Sequence, residues 1–418
     1  MVEVHDPKLR PVPLSTFGWK PLPPSCSPED VVQICMIPSS QLEGPANMFM
    51  ANVTDVKARI RVPSFSFLIQ HKSGKTLLWD LGLGSVSSTA KSFAVLMEPF
   101  SRMRIAFHPF VVSIRPFQER ITKTFRIAPD KDVLDRLTES GFDPSTIDAL
   151  VLSHQHFDHI GDIGALPKGV DVICGPGTLE KISPGYPADQ ASPWRGKWLE
   201  ARDFFELPPT CETRSWDGAI AVCVSPVVVE RKWQHLACFD HAVDWFGDGS
   251  LWIVDTPGHC TGHISALARV TSNPDTCGQL LLSRQPCAYA VRHSYTDIFL
   301  AGDTSHHQTL YLPVPVEGKP DLRTGLPFYQ SLDGSGELTT MDEDPIVNTQ
   351  TVSRLTRLSA EENIMVILAH EGEVEAVLPI WPENINEWKK KGWKEEKEKH
   401  LRADVAGSFG SNVSDIPV

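Results

Sequence analysis

Short apolar runs separated by turn residues make up most of the chain from about residue 31 onward. The runs "FSFLIQ" and "KTLLWDLGLG" flank "HKSG", a pattern that predicts a β-hairpin closed by a glycine turn. Apolar runs of strand length follow in "IDALVLS", "VDVICG", "LWIVD", "DIFLA" and "NIMVILA". Runs without polar alternation are typical of strands that are buried on both faces. We therefore expect a protein built around β-sheet.

Helical spacing is found in a few segments between these runs. Val133, Leu134 and Leu137 lie three or four positions apart in "PDKDVLDRLTESGFD", with Asp130 as a candidate cap and Gly141 as a candidate stop. "VSRLTRLSAEE" predicts a second helix, and "NEWKKKGWKEEKEKH" predicts a charged helix with a solvated face. Helices and strands alternate in part, and several strands are linked as hairpins. This mixture favours a layered α/β fold.

The distribution of proline and of the apolar runs predicts three parts of the chain. Residues 1–30 are proline-rich and are expected to form an extended arm that lies over the domain. Residues 31–400 are expected to form a single domain, with insertions near 85–128 and 274–296. Residues 401–418 are expected to be a flexible tail.

Composition and charge exclude some classes of partner. The chain has 418 residues, of which 41% are hydrophobic and 22% charged, and its formal net charge is −13. The negative charge argues against a nucleic-acid partner. No run has the character of a signal peptide or a membrane span, so we expect a cytoplasmic protein with no membrane partner. The nine cysteines are scattered without a C-x-x-C pair, which indicates neither a disulfide framework nor a zinc ribbon.

The segment "SHQHFDHIGD" concentrates three imidazoles and a carboxylate directly after the predicted strand "IDALVLS". A pH-sensitive surface patch, a chance cluster and a metal site are the alternatives. In an extended segment alternate residues point the same way, so His154 and His156 aim at one point. Asp158 and His159 follow and can aim at a second point close by. Imidazole and carboxylate suit zinc, iron or manganese, and a surface cluster has no reason to follow a buried strand, so we favour a metal site.

Two cations need more ligands than this segment supplies, and later strand ends offer them. "DTPGHCTGH" brings His259 and His263 after the strand "LWIVD". Asp303 follows the strand "DIFLA", and His370 follows the strand "NIMVILA". Each candidate lies where a buried strand ends, which is where a sheet would gather such side chains.

With these residues the chain resembles the metallo-β-lactamase superfamily. The resemblance rests on H-x-H-x-D-H, T-P-G-H-x-x-G-H, G-D at a strand end and a strand-terminal histidine, in that order, over about residues 60–375. It is similar above all to the dinuclear hydrolase branch, which includes N-acyl-homoserine-lactone lactonases and hydroxyacylglutathione hydrolases. The resemblance implies that the domain is catalytic and that its fold is an αββα sandwich, two mixed β-sheets flanked by helices. It implies one metal held by His154, His156 and His259, a second held by Asp158, His159 and His370, and Asp303 as the bridge between them.

The resemblance also assigns supporting residues. His263 matches a histidine that supports the ligands or packs behind them. Asp80 matches an aspartate that supports the site from behind, although a strand-end turn residue is an equal alternative. Some lactonases have a tyrosine three residues after the bridging aspartate, and His306 holds that position here. His306 therefore either donates a hydrogen bond to an oxyanion or faces solvent. Cys260 is expected to pack rather than react.

These features imply an enzyme whose two divalent cations, zinc above iron or manganese, share a hydroxide that attacks a carbonyl carbon. Asp158 would bind metal and pass a proton to the leaving group. The expected substrate is a small molecule, a cyclic ester or cyclic amide (lactone, lactam or cyclic carbamate) of a secondary metabolite or xenobiotic. A glutathione thioesterase, a mononuclear iron persulfide dioxygenase, a phosphodiesterase and a non-catalytic relative remain alternatives. The oligomeric state is left open.

Overall fold

The structure is a computed structural model, and it describes most of the chain between residues 16 and 399. The described stretches are residues 16–23, 27–50, 57–84, 124–128, 130–189, 192–210, 232–272, 295–312, 315–316, 319–323 and 341–399. The predicted tail at 401–418 lies outside the described residues. So do positions 85–123 of the first predicted insertion and positions 274–294 of the second.

Strands are the main elements, as the apolar runs predict. In chain order they are β1 (Val32–Pro38), β2 (Gln41–Pro45), β3 (Arg59–Val62), β4 (Phe65–His71), β5 (Thr76–Trp79), β6 (Arg126–Ala128), β7 (Ala149–Val151), β8 (Asp171–Cys174), β9 (Phe204–Glu206), β10 (Gln234–Leu236), β11 (Phe239–Asp244), β12 (Leu251–Asp255), β13 (Ile264–Ser272), β14 (Tyr295–Leu300), β15 (Pro315–Val316), β16 (Lys319–Arg323) and β17 (Ile364–Ile367).

Two six-stranded mixed sheets organise the molecule. The first has the order β1-β4-β5-β7-β8-β9, in which β4 and β5 form the predicted antiparallel hairpin and β5, β7, β8 and β9 run parallel. The second has the order β10-β11-β12-β13-β14-β17, antiparallel except for the parallel pair β14 and β17. A three-stranded sheet, β3-β2-β6, and the pair β15-β16 complete the described strands.

Within the described ranges the helices are short apart from one, and residues 393–399 are helical in addition to the helices named next. They are α1 (Val133–Glu139), α2 (Thr178–Ile182), α3 (Gly196–Glu200), α4 (Gln308–Tyr311), α5 (Pro345–Ser359) and α6 (Trp388–Lys391). The helix predicted from Val133, Leu134 and Leu137 is therefore present as α1. Its N-cap is Asp132 rather than Asp130, and the carboxylate of Asp130 instead pairs with the Arg136 guanidinium at 2.5 Å.

Alternation along the strands divides the interior into layers. Phe65, Phe67 and Ile69 of β4 face the second sheet and share a core with Ala266 and Ala268 of β13. Leu68 and Leu78 point to the other face of the first sheet, where α1 and α2 pack. On the far side, α5 packs Val352, Leu355 and Leu358 against the second sheet. Full burial of one such side chain stabilises the folded state by roughly 1.5–3 kcal/mol relative to leaving it exposed to water. The fold is the predicted αββα sandwich.

Part of the proline-rich arm lies against α5 and the turn between β10 and β11. The aromatic rings of Phe17 and Trp19 stack on the guanidinium groups of Arg354 and Arg357, with the guanidinium carbons 4.6 and 4.2 Å from the ring centroids. The Lys20 amide donates to the carbonyl of Ala237. Within the described ranges, none of the helices has the length and hydropathy needed to cross a lipid bilayer.

The prediction of a solvated face for the C-terminal charged helix is wrong for part of its length. Trp388 of α6 is fully buried, and in the helical residues 393–399 that follow, Lys397 is 2% exposed. Burial lowers the pKa of Lys394 to about 8. The Lys394 ammonium donates hydrogen bonds of 2.8 Å each to the carbonyls of Ser359, Glu361 and Ile364. Lysine spacing alone does not separate these inward side chains from their exposed neighbours.

Candidate metal centre

One edge of the sandwich gathers the strand ends that carry the predicted donors. β7 in the first sheet leads into the "HQHFDH" segment, and the turn from β12 to β13 carries His259 and His263. Asp303 follows β14, and His370 follows β17. The two sheets face each other, so their strand ends meet at this edge. The structure brings all seven predicted ligands together.

Asp303 lies at the centre of the group, and its two oxygens face different imidazoles. Its Oδ1 is 3.2 Å from His159 Nε2 and 3.3 Å from His370 Nε2. Its Oδ2 is 3.6 Å from His259 Nε2 and 3.7 Å from His154 Nε2. The carboxylate therefore separates two donor sets. We call His154, His156 and His259 the first half-site, and Asp158, His159 and His370 the second half-site.

The first half-site consists of three converging ring nitrogens. His156 Nδ1 is 3.0 Å from both His154 Nε2 and His259 Nε2. Together with the Cys260 Sγ these atoms all lie within 4.8 Å of one another. Three neutral imidazoles that point to one place are a donor set suited to a divalent cation such as zinc.

The second half-site contains two buried polar atoms without a hydrogen-bond partner in the described part of the chain. His159 Nε2 and Asp303 Oδ1 are 3.2 Å apart, yet they form no hydrogen bond with each other or with another group. Asp158 Oδ2 is 3.4 Å from His370 Nε2, on the same side of Asp303. A nitrogen lone pair and a carboxylate oxygen repel each other unless a proton or a cation lies between them. These residues therefore fit a second cation as well.

Asp80 supports the site from the strand end of β5. Its Oδ1 accepts the Ser153 amide N–H at 2.6 Å, and its Oδ2 accepts the Ser153 hydroxyl at 2.7 Å. The same Oδ2 is 3.0 Å from His159 Nδ1. A proton on Nδ1 directs the lone pair of Nε2 toward Asp303. Asp80 also lies in a turn, with φ +55°. The two alternatives for Asp80, a support behind the site and a turn residue at the end of a strand, are therefore compatible.

Two further supports could not be inferred from the sequence. The backbone carbonyl of Pro63 lies 2.7 Å from His370 Nδ1, and Asp342 Oδ1 lies 3.1 Å from His259 Nδ1. Each fixes a tautomer that leaves Nε2 free to face Asp303. Any residue can supply a backbone carbonyl, so the sequence cannot show which one is used. Asp342 lies in the acidic run "DEDP" before α5, which the sequence does not distinguish from a helix-capping segment.

His263 positions Asp303 through its backbone. His263 Nδ1 lies 3.1 Å from the Thr256 carbonyl and donates its proton there, while Nε2 accepts the Asp303 amide N–H at 3.1 Å. Burial lowers the pKa of His263 to about 3, which keeps this imidazole neutral. A Cβ at Gly302 would approach His263 Nε2 to 3.0 Å, and φ +54° there favours glycine. These contacts explain why a glycine and an aspartate, Gly302 and Asp303, follow β14.

Burial and neighbouring charges divide the imidazoles into two groups. Burial lowers the pKa of His154, His156 and His259, so these three remain neutral near pH 7. Burial also opposes the charged form of His159 and His370, but Asp303, together with Asp80 at His159 and Asp158 at His370, outweighs it and raises the pKa of both. Burial alone would raise the pKa of Asp303, and the surrounding imidazoles, His370 foremost, hold it well below its ordinary value instead.

His306 faces the site rather than solvent. It is 2% exposed, and its Nε2 lies 3.2 Å from Asp303 Oδ2. The Phe49 ring meets His306 edge-on, with ring centroids 6.2 Å apart. Cys260 is buried, burial raises the pKa of its thiol well above the ordinary value, and its Sγ donates to Gln155 Oε1 at 3.7 Å. A neutral, paired thiol agrees with the predicted packing role.

This chain is similar in sequence to named proteins and in structure to a solved one. A γ-lactamase, FDB1 of Fusarium pseudograminearum, is 24% identical over 387 residues, which cover 84% of this chain and 76% of that protein. The metallo-hydrolase mfmC of Annulohypoxylon moriforme is 28% identical over 357 residues, covering 81% and 77% respectively. A solved N-acyl homoserine lactone hydrolase, with N-hexanoyl-L-homoserine bound at its catalytic metal centre, is 15% identical and covers 85% of this chain and 99% of its own, with a TM-score of 0.48.

The family model of the metallo-beta-lactamase superfamily matches residues 59–269, which is half of the chain. The match begins in the small sheet at β3 and ends within β13, so it includes the "HQHFDH" segment and the T-P-G-H turn. This superfamily fold implies binding of divalent metal. The chain belongs to the metallo-beta-lactamase superfamily.

Proposed function

We propose that this protein is a hydrolase that uses two divalent cations, zinc foremost, to open a cyclic amide or cyclic ester of a small molecule. The observation that carries the proposal is the position of the Asp303 carboxylate between two donor sets, with Oδ1 toward His159 and His370 and Oδ2 toward His154 and His259. In this proposal Asp303 would hold both cations, and each half-site would supply three side chains to one of them. Two bound cations would supply a nucleophilic water at neutral pH and polarise the carbonyl oxygen.

Asp158 and His306 are the residues to which we assign proton and charge handling. Asp158 is 6% exposed, and its Oδ2 is 3.4 Å from His370 Nε2. A carboxylate there can accept a proton and deliver it to the leaving nitrogen or oxygen. His306 Nε2 faces the centre from the Oδ2 side of Asp303. The Nε2–H of an imidazole in this place can donate a hydrogen bond to the oxygen of the attacked carbonyl.

Substrate class is narrowed by what surrounds the centre. Phe49 contacts both His306 and His370 edge-on, with centroid distances of 6.2 and 6.1 Å, and belongs to an apolar cluster with Met48, Met50 and Leu83. This flank favours an apolar portion beside the ring that is opened. The γ-lactamase relative acts, by its name, on a cyclic amide, and we extend that class to this chain.

The thioesterase alternative is weakened by the C-terminal segment. Glutathione carboxylates would need free, exposed lysines there. Lys394 and Lys397 turn into the protein and bind its carbonyls and Glu371, and the exposed Lys390 and Lys399 pair with Glu387 and Glu396. The mononuclear iron alternative would leave one of two complete half-sites without a role. We therefore place both below the cyclic amide or ester hydrolase.

Metal analysis of the purified full chain, combined with a hydrolysis screen, tests the proposal. We expect about two divalent cations per chain, turnover of lactams, cyclic carbamates or lactones, and little turnover of S-acylglutathione. His156→Ala should abolish hydrolysis and lower the cation content. His241→Ala is the matched control, because its side chain is 41% exposed on β11 and should leave both unchanged. Preferred thioester turnover, or one iron with sulfur-dependent oxygen uptake, would replace the proposal by the corresponding alternative.

A further inference from the structure

A buried ion pair lies directly behind His370, and the proposed chemistry does not use it. Glu371 is fully buried and Lys397 is 2% exposed, with Lys397 Nζ 2.6 Å from Glu371 Oε1. The two residues are 26 positions apart, and Lys397 comes from the C-terminal helical residues 393–399. Removing two charges from water costs energy that their attraction seldom exceeds, so such a pair is weak evidence of a role in stability alone.

The pair spans the turn that carries His370. Glu371 Oε2 accepts the Leu368 amide N–H at 3.1 Å, which closes the turn from residue 368 to residue 371. Lys397 Nζ also donates to the carbonyl of Val366 at 2.5 Å, in the last part of β17. One ammonium group therefore joins the end of the strand to the side chain that closes the following turn.

Other contacts hold the front of the same turn. Ala369 donates its N–H to the Gly302 carbonyl and accepts the Phe65 N–H, at 3.1 Å each. The first contact ties the turn to the residue before Asp303. His370 Nε2 is 3.3 Å from Asp303 Oδ1, so a small displacement of the turn would change the spacing within the second half-site. His370 Nδ1 also lies 2.7 Å from the Pro63 carbonyl. The front contacts therefore reach residues 369 and 370, and the buried pair contacts residues 366, 368 and 371 from behind.

We propose that Lys397 is a positioning residue, which holds Glu371 and thereby the turn 368–371 so that His370 Nε2 faces the second half-site. The inference rests on the proposed function, because it gives His370 the role of a cation ligand. It adds to that function a requirement for the C-terminal segment. If only this ammonium group is removed and the C-terminal segment stays in place, the affinity for the second cation should fall and the affinity for the first should not change.

Lys394 provides a matched control on the same segment. Its ammonium group binds the carbonyls of Ser359, Glu361 and Ile364, at the start of β17 and before it, and makes no contact with the turn. Lys394→Met therefore weakens the docking of the segment without removing the contact to Glu371. A difference between the two lysine variants separates positioning from docking.

The experiment titrates the full-length apoprotein with Co²⁺ alone, following the visible absorption bands of each bound ion and the heat of binding. Wild type is expected to bind two Co²⁺ per chain. Lys397→Met should bind the first as wild type does and the second about 10–100-fold more weakly, as for other groups that orient a ligand, with altered bands for the second ion. Lys394→Met should bind both as wild type does and melt at a lower temperature.

A double variant covers the case in which Lys397→Met does not fold. Glu371→Gln with Lys397→Met leaves no buried charge unpaired and keeps an acceptor for Leu368, so folding should return while the second Co²⁺ still binds weakly. Wild-type affinity for the second ion in either variant would overturn the inference, as would equal weakening in Lys394→Met. Binding of only one Co²⁺ by wild type would instead reject the two-cation function, and with it the role given to His370.

Discussion

The two halves of the site use similar donors in different electrostatic surroundings. In the first half-site His154 and His259 are buried and His156 is half-buried, and the loss of hydration lowers the pKa of each imidazole. In the second half-site Asp303 acts on both imidazoles, joined by Asp80 at His159 and by Asp158 at His370, and the pKa of each imidazole is raised despite burial. The two half-sites therefore differ in where carboxylates lie around the imidazoles, and not in the type of donor.

This difference predicts different behaviour toward cations. Metal binding requires an imidazole without its second proton. The first half-site already presents neutral rings, whereas the second must release protons before a cation can bind. We expect the first half-site to fill first and the second to respond to pH and to the residues that support it. The four predictions below test this contrast.

Asp303→Asn should have the largest effect, because Asp303 is common to both halves. The amide removes the charge that faces five imidazole nitrogens at 3.2–3.7 Å. We expect both cations and all hydrolysis to be lost, with a cooperative melting transition retained. Metal analysis and calorimetry measure this. If Asp303→Asn kept two cations, Asp303 would not be the bridge between the halves.

His306→Phe should slow hydrolysis strongly while both cations remain. Loss of one donor to a developing oxyanion costs roughly 10²–10³-fold in kcat. His306→Gln restores an N–H donor and is expected to recover part of the rate. Steady-state kinetics with metal analysis in parallel decide the result. An unchanged kcat in the phenylalanine variant would remove His306 from the catalytic groups, and loss of a cation would make it a ligand.

Asp80→Asn should affect the second half-site alone. An asparagine has only one acceptor oxygen, so it cannot accept hydrogen bonds from the Ser153 amide, the Ser153 hydroxyl and His159 Nδ1 as the two carboxylate oxygens do. Second-cation affinity is expected to fall about 10–100-fold, as for other groups that orient a ligand. Calorimetric titration should show the first cation binding as in wild type. Equal weakening of both cations would show that Asp80 acts on the whole strand end.

The pH dependence of binding should show the smallest but most direct contrast. The raised pKa of His159 and His370 favours the protonated form of both rings in the apoprotein, so cation binding releases protons and a higher pH favours binding. From about pH 8 to about pH 7, affinity for the second cation should fall by at most about tenfold for each proton displaced. The first cation should change little. Titrations at several pH values check this, and parallel slopes for both cations would contradict it.

Much of this arrangement could be predicted from the sequence, because each predicted donor directly follows a strand with a visible apolar run. His154, His259, Asp303 and His370 all follow such runs, and buried strands of adjacent sheets end at a common edge. The layered fold was also predictable, since hairpins and helix-strand units occur in the same chain. The predicted exposure of the C-terminal helix was wrong for part of its length, because the lysines that point inward have the same spacing as those that point outward.

Residue types and their order along the chain thus determined the donor set, since local periodicity shows where buried strands end. Tertiary structure alone decided what stands behind each donor. His370 and the Pro63 carbonyl are 307 positions apart, and His259 and Asp342 are 83 apart. Contacts over such distances leave no local pattern. Which imidazoles are neutral, and which are held by Asp80 or by the Glu371–Lys397 pair, therefore follows only from the packed structure.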